Sequence, residues 1–134
     1  MFDSSGVRIL LVQSEPVLSE LMSFRLQLLG YQIERVGTGG EAIDRIRTEP
    51  PHLVIVDTAL HDGDGLEWLS RLRGEFGAEV FSVLVVSLDP SLETVERAFY
   101  AGAQDYLITP FDPVVLEQKI VALVSHAANG VGSR

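Results

Sequence analysis

The chain of 134 residues contains no cysteine and only one lysine, Lys119. Without cysteine, disulfides, thiolate metal sites and a cysteine nucleophile are excluded. No apolar run is long enough to span a bilayer, and residues 1–6 lack the pattern of a signal peptide. We therefore expect a cytoplasmic protein with no membrane segment.

Positive charge is also scarce, since the formal net charge is −9. An acidic surface repels nucleic-acid phosphates, so we expect no nucleic-acid binding by this segment. Hydrophobic residues make up 46% of the chain, which is enough to form a core. The length fits a single domain.

Short apolar segments alternate with amphipathic ones along the chain. Nearly continuous apolar strands indicate burial on both faces, as in a parallel sheet. The predicted fold class is therefore α/β, a flavodoxin-like (βα)5 doubly wound parallel sheet with strand order 2-1-3-4-5. The predicted strands cover residues 7–12, 31–36, 52–57, 81–87 and 105–108. We assign an N-terminal tail to 1–6, one domain to 7–127, and a C-terminal tail or linker stub to 128–134.

Helix signals lie between the predicted strands. Ser14, Thr38 and Ser91 are predicted N-caps of the first, second and fourth helices, and Asp112-Pro113 opens the fifth. We expect one apolar face of each helix to pack inward. The predicted faces are Val17, Leu21, Phe24 and Leu28; Ala42, Ile43 and Ile46; Leu66, Leu69 and Leu72; Leu92, Val95 and Phe99; and Leu116, Ile120, Leu123 and Val124.

Polar residues follow four of the predicted strands. An open parallel sheet binds ligands beyond the carboxyl ends of its strands, where the strand order reverses. Gln13 and Ser14 follow the first strand, Asp57 ends the third, Ser87 ends the fourth and Thr109 follows the fifth. We expect these side chains to converge, although each one alone also fits an ordinary turn or cap.

The third strand and the loop after it carry a resemblance to a known family. The segment LVIVDTALHDGDGLEWL resembles the acceptor segment of bacterial two-component response-regulator receiver domains, and the match runs over about residues 7–124. The resemblance places Asp57 at the phosphorylated position and Asp64-Gly65 at the family's Asp-Gly. It implies a sensor histidine kinase or a phosphotransfer protein as the partner that supplies the phosphoryl group.

The resemblance extends to the last two strands. It places Ser87 at the residue that contacts the phosphoryl group and Tyr106 at the switch aromatic. In AGAQDYLITPF it places Thr109-Pro110 at the family's Lys-Pro, which implies a cis peptide bond before Pro110.

Several departures from the family pattern weaken the expected chemistry. Gln13 and Ser14 stand where the family has the acidic pair that holds Mg²⁺, and Thr109 stands where it has a lysine. Lys119 lies inside the last predicted helix and cannot substitute. We therefore expect a weak Mg²⁺ site, or none, at Gln13, Ser14 and Asp57, and slow or absent phosphorylation by small donors.

Other functional classes fit the sequence less well. Haloacid-dehalogenase-type phosphatases require a second aspartate two residues after the nucleophile, where this chain has Ala59. A flavin-binding flavodoxin requires a glycine- and hydroxyl-rich phosphate loop after the first strand, which QSEPV is not. An EF-hand fails because Leu60 and Arg71 fall at its first and last ligand positions. We expect no enzyme activity and no cofactor other than weakly bound Mg²⁺.

The main alternative is a pseudo-receiver, a protein–protein interaction module that works without phosphorylation. The resemblance implies a partner protein or output domain on the face formed by the fourth helix, the fifth strand and the fifth helix. Tyr100 and Tyr106 are candidates on that face, with ordinary packing as the alternative explanation for Tyr100. A homodimer is also left open.

Overall fold

The structure is a computed structural model that describes residues 3–130, apart from the side chains of residues 126–130. Its central sheet is parallel and has five strands in the order β2-β1-β3-β4-β5, so the predicted topology is confirmed. The strands are β1 (Arg8–Val12), β2 (Gln32–Val36), β3 (Leu53–Asp57), β4 (Ser82–Ser87) and β5 (Asp105–Ile108). The helices are α1 (Pro16–Leu28), α2 (Gly39–Thr48), α3 (Gly65–Glu75), α4 (Leu92–Ala101) and α5 (Pro113–Gly130).

Two features differ from the predicted segmentation. A short antiparallel hairpin, Ala59–Leu60 paired with Gly63–Asp64, follows β3 and was not predicted. Helix α5 continues through 128–130, which the sequence assigned to the C-terminal tail. Residues 131–134 of that tail, and residues 1–2 of the N-terminal one, lie outside the described residues.

The core has one layer on each side of the sheet. Alternate residues of the central strands face α2, α3 and α4 on one side, where Ile46, Leu69 and Ala98 are buried. The remaining strand residues face α1 and α5, where Leu26 and Ile120 are buried. Both faces of the sheet are therefore covered, which explains why the strands are apolar at nearly every position.

Helix α1 corrects two predictions. Its N-cap is Glu15 and not Ser14, since the Glu15 carboxylate accepts hydrogen bonds from the backbone N–H groups of Val17 (3.2 Å) and Leu18 (2.7 Å). Its predicted apolar face is exposed; the buried residues are instead Ser19, Met22, Ser23 and Leu26, whereas Val17, Leu21, Phe24 and Leu28 are all more than half exposed. The small serines let the helix lie close to the sheet.

The other helix predictions have mixed outcomes. The N-caps Thr38 and Ser91 are confirmed. The predicted inward face of α4 is wrong at Leu92 and Phe99, which are 72% and 46% exposed. Val95 is partly buried, and only Ala98 of that helix is fully buried. The predicted faces of α2, α3 and α5 are buried or partly buried. Across the described residues, the helices are too short or too polar to cross a bilayer.

Candidate functional site

The carboxyl ends of the strands bring the predicted polar residues to one edge of the sheet. They line a cleft of about 730 Å³ whose walls include Gln13, Ser14, Asp57, Ser87 and Thr109. The parallel register of β1, β3 and β4 places their last residues side by side, since Val12 pairs with Val56 and Asp57 pairs with Val86. The convergence that topology predicts is therefore present.

Asp57 lies at the end of β3 and is partly exposed. Its Oδ2 accepts a 2.8 Å hydrogen bond from the Gln13 side-chain amide, and its Oδ1 accepts a 3.0 Å bond from the Ala59 N–H. The Gln13 carbonyl oxygen accepts from the Glu15 N–H at 3.0 Å. The amide is therefore held at both ends, and its NH₂ group is directed at the Asp57 carboxylate.

Ser14 connects two loops instead of facing Asp57. Its hydroxyl donates to the Gly37 carbonyl and accepts a 2.9 Å hydrogen bond from the His61 N–H. One contact ties the end of β1 to the loop after β2, and the other ties it to the hairpin after Asp57. Because both contacts use the hydroxyl, its capacity to hold another ligand is reduced.

Ser87 belongs to a second hydrogen-bonded group with Thr58. The Thr58 and Ser87 hydroxyls are 2.7 Å apart, and Ser87 Oγ also accepts from the Asp89 N–H at 3.0 Å. Thr58 is not among the predicted site residues, although its position directly after Asp57 could have indicated it. The pair joins the loops that leave β3 and β4.

Tyr106 is turned inward and is 8% exposed. Its hydroxyl donates a 2.7 Å hydrogen bond to the Asp89 carbonyl, in the loop before α4. Burial raises the pKa of the Tyr106 hydroxyl, so it remains protonated as a donor at neutral pH. The side chain therefore braces the loop after β4 and is not presented to a partner on the surface.

Thr109 is 8% exposed, and its backbone N–H donates to the Ser87 carbonyl at 2.8 Å. The following peptide bond, Thr109–Pro110, is cis. The only lysine, Lys119, donates to both oxygens of Asp105, at 3.0 and 3.1 Å, on the α5 side of β5. No arginine or lysine is among the residues that line the described cleft.

Asp62 and Asp64 have structural roles at helix ends. The two Asp62 oxygens accept hydrogen bonds from the N–H groups of Gly39 (3.0 Å) and Gly40 (3.1 Å), at the start of α2. Asp64 caps α3 and pairs with Arg97 of α4 at 3.1 Å. Gly65 packs so closely on β3 that a Cβ atom there would overlap the Asp57 carbonyl oxygen. The hairpin after Asp57 is therefore held by contacts with α2 on one side and with α4 on the other.

Comparison with known proteins agrees with this geometry. Residues 9–121 match the family model described as the response regulator receiver domain. The chain is 35% identical over 109 residues to the probable transcriptional regulatory protein TcrX of Mycobacterium tuberculosis, covering 81% of this chain and 46% of TcrX. It is 31% identical to the transcriptional regulatory protein TrcR of the same organism, covering 95% of this chain and 49% of TrcR. The chain thus spans about half the length of these relatives.

Solved structures with the same architecture include two receiver domains. The receiver domain protein (CheY-like) of Methanospirillum hungatei superposes with a TM-score of 0.85 at 27% identity, covering 92% of this chain and 98% of the other. A signal receiver domain from Vibrio parahaemolyticus superposes with a TM-score of 0.87 at 25% identity, covering 96% of this chain and 97% of the other. The resemblance in the acceptor segment thus extends over the whole fold, and the chain belongs to the response-regulator receiver domain family of two-component signalling.

Proposed function

We propose that this receiver domain has its phospho-acceptor at Asp57 but takes a phosphoryl group from small donors slowly or not at all. The observation that carries the proposal is the Gln13 amide, which donates to Asp57 Oδ2 at 2.8 Å. Phosphoryl transfer to a carboxylate relies on cations that neutralise the phosphoryl oxygens. A neutral amide supplies only a dipole, so the developing charge is less well stabilised.

The residues present do not fit a Mg²⁺ site well. Mg²⁺ requires hard oxygen ligands in near-octahedral geometry and usually binds one or two carboxylates. The Gln13 carbonyl oxygen accepts from Glu15, the Ser14 hydroxyl already makes two contacts, and the Glu15 carboxylate caps α1. Asp57 is then the acidic ligand that remains at the ends of β1 and β3 among the described residues, which supports at most weak binding.

The missing lysine weakens the pocket further. Thr109 carries no charge, and Lys119 is paired with Asp105. A charge-assisted hydrogen bond contributes about 1.5–3 kcal/mol. Its loss alone corresponds to a rate about 10- to 150-fold lower.

Partners and context follow from the family. Response regulators interact with histidine kinases or phosphotransfer proteins, and we propose one of these as the donor for any phosphoryl group that reaches Asp57. The relatives named above are about twice as long as this chain. We further propose a cytoplasmic protein with no catalytic activity of its own toward other molecules.

Acetyl phosphate with Mg²⁺, followed by intact-mass measurement, tests the proposal directly. We expect no phosphoryl adduct during a period in which an ordinary receiver domain is fully modified. An Asp57→Asn variant measured in parallel reports any modification at other residues. Rapid stoichiometric modification that depends on Asp57 contradicts the proposal.

A second candidate function is a pseudo-receiver that associates through α4, β5 and α5. It is favoured by exposed side chains on that face, since Leu92, Tyr100 and Ile108 are 72%, 92% and 43% exposed. With self-association as the readout, sedimentation of the wild type and of Leu92→Asp tests it. Association that is lost in Leu92→Asp and unchanged in Asp57→Asn supports this function, and a monomeric wild type counts against self-association by this face.

A further inference from the structure

Helix α1 turns an apolar stripe away from its own domain. The stripe consists of four large side chains that are all more than half exposed, namely Val17, Leu21, Phe24 and Leu28. It extends over about 17 Å, since each residue advances a helix by about 1.5 Å. Single exposed apolar residues are normal on a protein surface, whereas a contiguous row of large ones is typical of a protein–protein contact.

The spacing of the α1 stripe fits a second helix. Its residues follow one another at intervals of four, three and four positions, which is the a/d repeat of a coiled coil. A different side of the same helix, with Met22 and Leu26, already packs on the sheet. The stripe is therefore not required for the core of its own domain and is free to contact another molecule.

Charged residues of opposite sign flank the α1 stripe. Arg25 lies on the side toward α5, where its Nε donates to Glu117 at 2.6 Å and its remaining N–H groups can reach a further acceptor. Glu20 lies on the other side of the stripe, since a helix has 3.6 residues per turn. It is exposed and forms no ion pair with any residue that the structure describes.

We propose that the α1 stripe binds the α1 stripe of a second copy of this chain, with the two helices parallel. Glu20 and Arg25 occupy the g position of one heptad and the e position of the next, where ion pairs between two helices determine partner and orientation. A two-fold axis along the helices then forms two equivalent ion pairs, each between Glu20 and the partner's Arg25. An antiparallel arrangement instead places Glu20 beside the partner's Glu20, so the charges favour the parallel one.

The groove between α1 and α5 adds an apolar wall beside the stripe. It has a volume of about 410 Å³, and Leu18, Phe111 and Leu116 are among its lining residues. This wall gives the partner's Phe24 a place to pack, and aromatic anchors contribute strongly to protein contacts. The contact is small, and the net charge of −9 on each copy opposes it, so we expect a weak dimer with a dissociation constant in the micromolar range or above.

Sedimentation equilibrium of the wild type up to about 1 mM is the first test. We expect Phe24→Asp to weaken self-association at least about tenfold, because it places a charge in the apolar contact. Leu92→Asp makes the same kind of change on α4 and is expected to leave the association unchanged. A wild type that is monomeric at about 1 mM, or an association lost in Leu92→Asp and kept in Phe24→Asp, overturns the proposal. The first of these results would leave the α1 stripe to a helix of a different protein.

Charge variants test the parallel arrangement, after thermal unfolding has shown that each one folds. Glu20→Arg lowers the negative charge of the chain, so general repulsion falls, yet we expect association about tenfold weaker because two guanidinium groups then meet. Arg25→Glu should weaken it for the converse reason. An equimolar mixture of the two variants restores both ion pairs and should associate as strongly as the wild type. If Glu20→Arg associates as well as the wild type, or if the mixture associates no better than the separate variants, the proposal is wrong.

Discussion

The Gln13 amide donates to Asp57 Oδ2 at 2.8 Å while its carbonyl oxygen accepts from the Glu15 N–H at 3.0 Å. This pair of contacts fixes which side of the amide faces the Asp57 carboxylate. It also joins the ends of β1 and β3, the two strands at the point where the strand order reverses. The position at which the resemblance implies an acidic residue therefore holds a neutral donor, and a second hydrogen bond keeps that donor in place.

Gln13→Glu changes this contact from attraction to repulsion with almost no change in shape. Two carboxylates then lie within hydrogen-bonding distance, and we expect the free energy of unfolding at pH 7 to fall by about 1–3 kcal/mol. The loss should shrink near pH 4, where a proton bridges the pair. Urea denaturation at both pH values measures it. Gln118→Glu, on the exposed side of α5, is the charge-matched control, and an equal loss at both pH values argues against this interpretation.

Restoring the missing charges should restore the chemistry. In the triple variant Gln13→Asp, Ser14→Asp, Thr109→Lys, we expect phosphorylation by acetyl phosphate to become dependent on Mg²⁺ and at least about tenfold faster. Intact-mass time courses with and without EDTA measure both effects. The same variant with Asp57→Asn should acquire no adduct. A triple variant that folds and remains unmodified would show that other features of the cleft block transfer.

The fold could be predicted because nearly every position of β3 and β4 carries an apolar residue, which indicates that these strands are buried on both faces. Such segments leave few alternatives to a parallel sheet with helices on both sides. The strand-end residues of the site followed from that topology. Their hydrogen-bond partners could not be predicted, because the orientation of Gln13 and the pairing of Thr58 with Ser87 depend on side-chain rotamers set by neighbouring loops.

Helix α1 shows where periodicity is insufficient. Its apolar residues form one stripe through Leu21 and another through Leu26, and spacing alone does not say which stripe faces the sheet. The structure buries Leu26 together with Ser19 and Ser23. Serines are polar and therefore do not suggest a buried face in the sequence, but they are small enough to pack closely. The Ser23 hydroxyl also donates to the Glu20 carbonyl at 3.1 Å, so its hydrogen bond is satisfied within the helix.

A matched pair of truncations on α1 tests which stripe is in the core. Leu26 is 0% exposed and Leu21 is 62% exposed. We expect Leu26→Ala to lower the free energy of unfolding by about 2–5 kcal/mol, because it leaves a cavity. Leu21→Ala should cost about 0.5 kcal/mol or less, as is usual for a surface site. Urea denaturation of both variants gives the comparison, and similar losses would mean that the helix is rotated from the position described.

Asp62 should make stability depend on pH in the acid range. Hydrogen bonds, chiefly from the Gly39 N–H, hold the pKa of this carboxyl below its ordinary value. Its stabilising effect is then complete above the unfolded-state pKa of about 3.9 and is lost as the pH falls through the lower folded-state value. Asp62→Ala should lower the free energy of unfolding by about 0.5–1 kcal/mol at pH 7. This is the low end for a helix cap, because the side chain is exposed, and the loss should be smaller below pH ~4.

Asp62→Asn separates the hydrogen bonds from the titration. The amide keeps one oxygen that can accept from Gly39 or Gly40 but has no proton to gain in this range. We therefore expect the difference in stability between Asp62→Asn and Asp62→Ala to stay constant between pH 7 and 3. The wild type should lose stability relative to both variants as the pH falls over this range. Thermal unfolding across this range measures the three proteins together. If the wild type is still more stable than both variants by the same amount at pH 3, the Asp62 contact at the start of α2 does not stabilise the protein through the charge of the carboxylate.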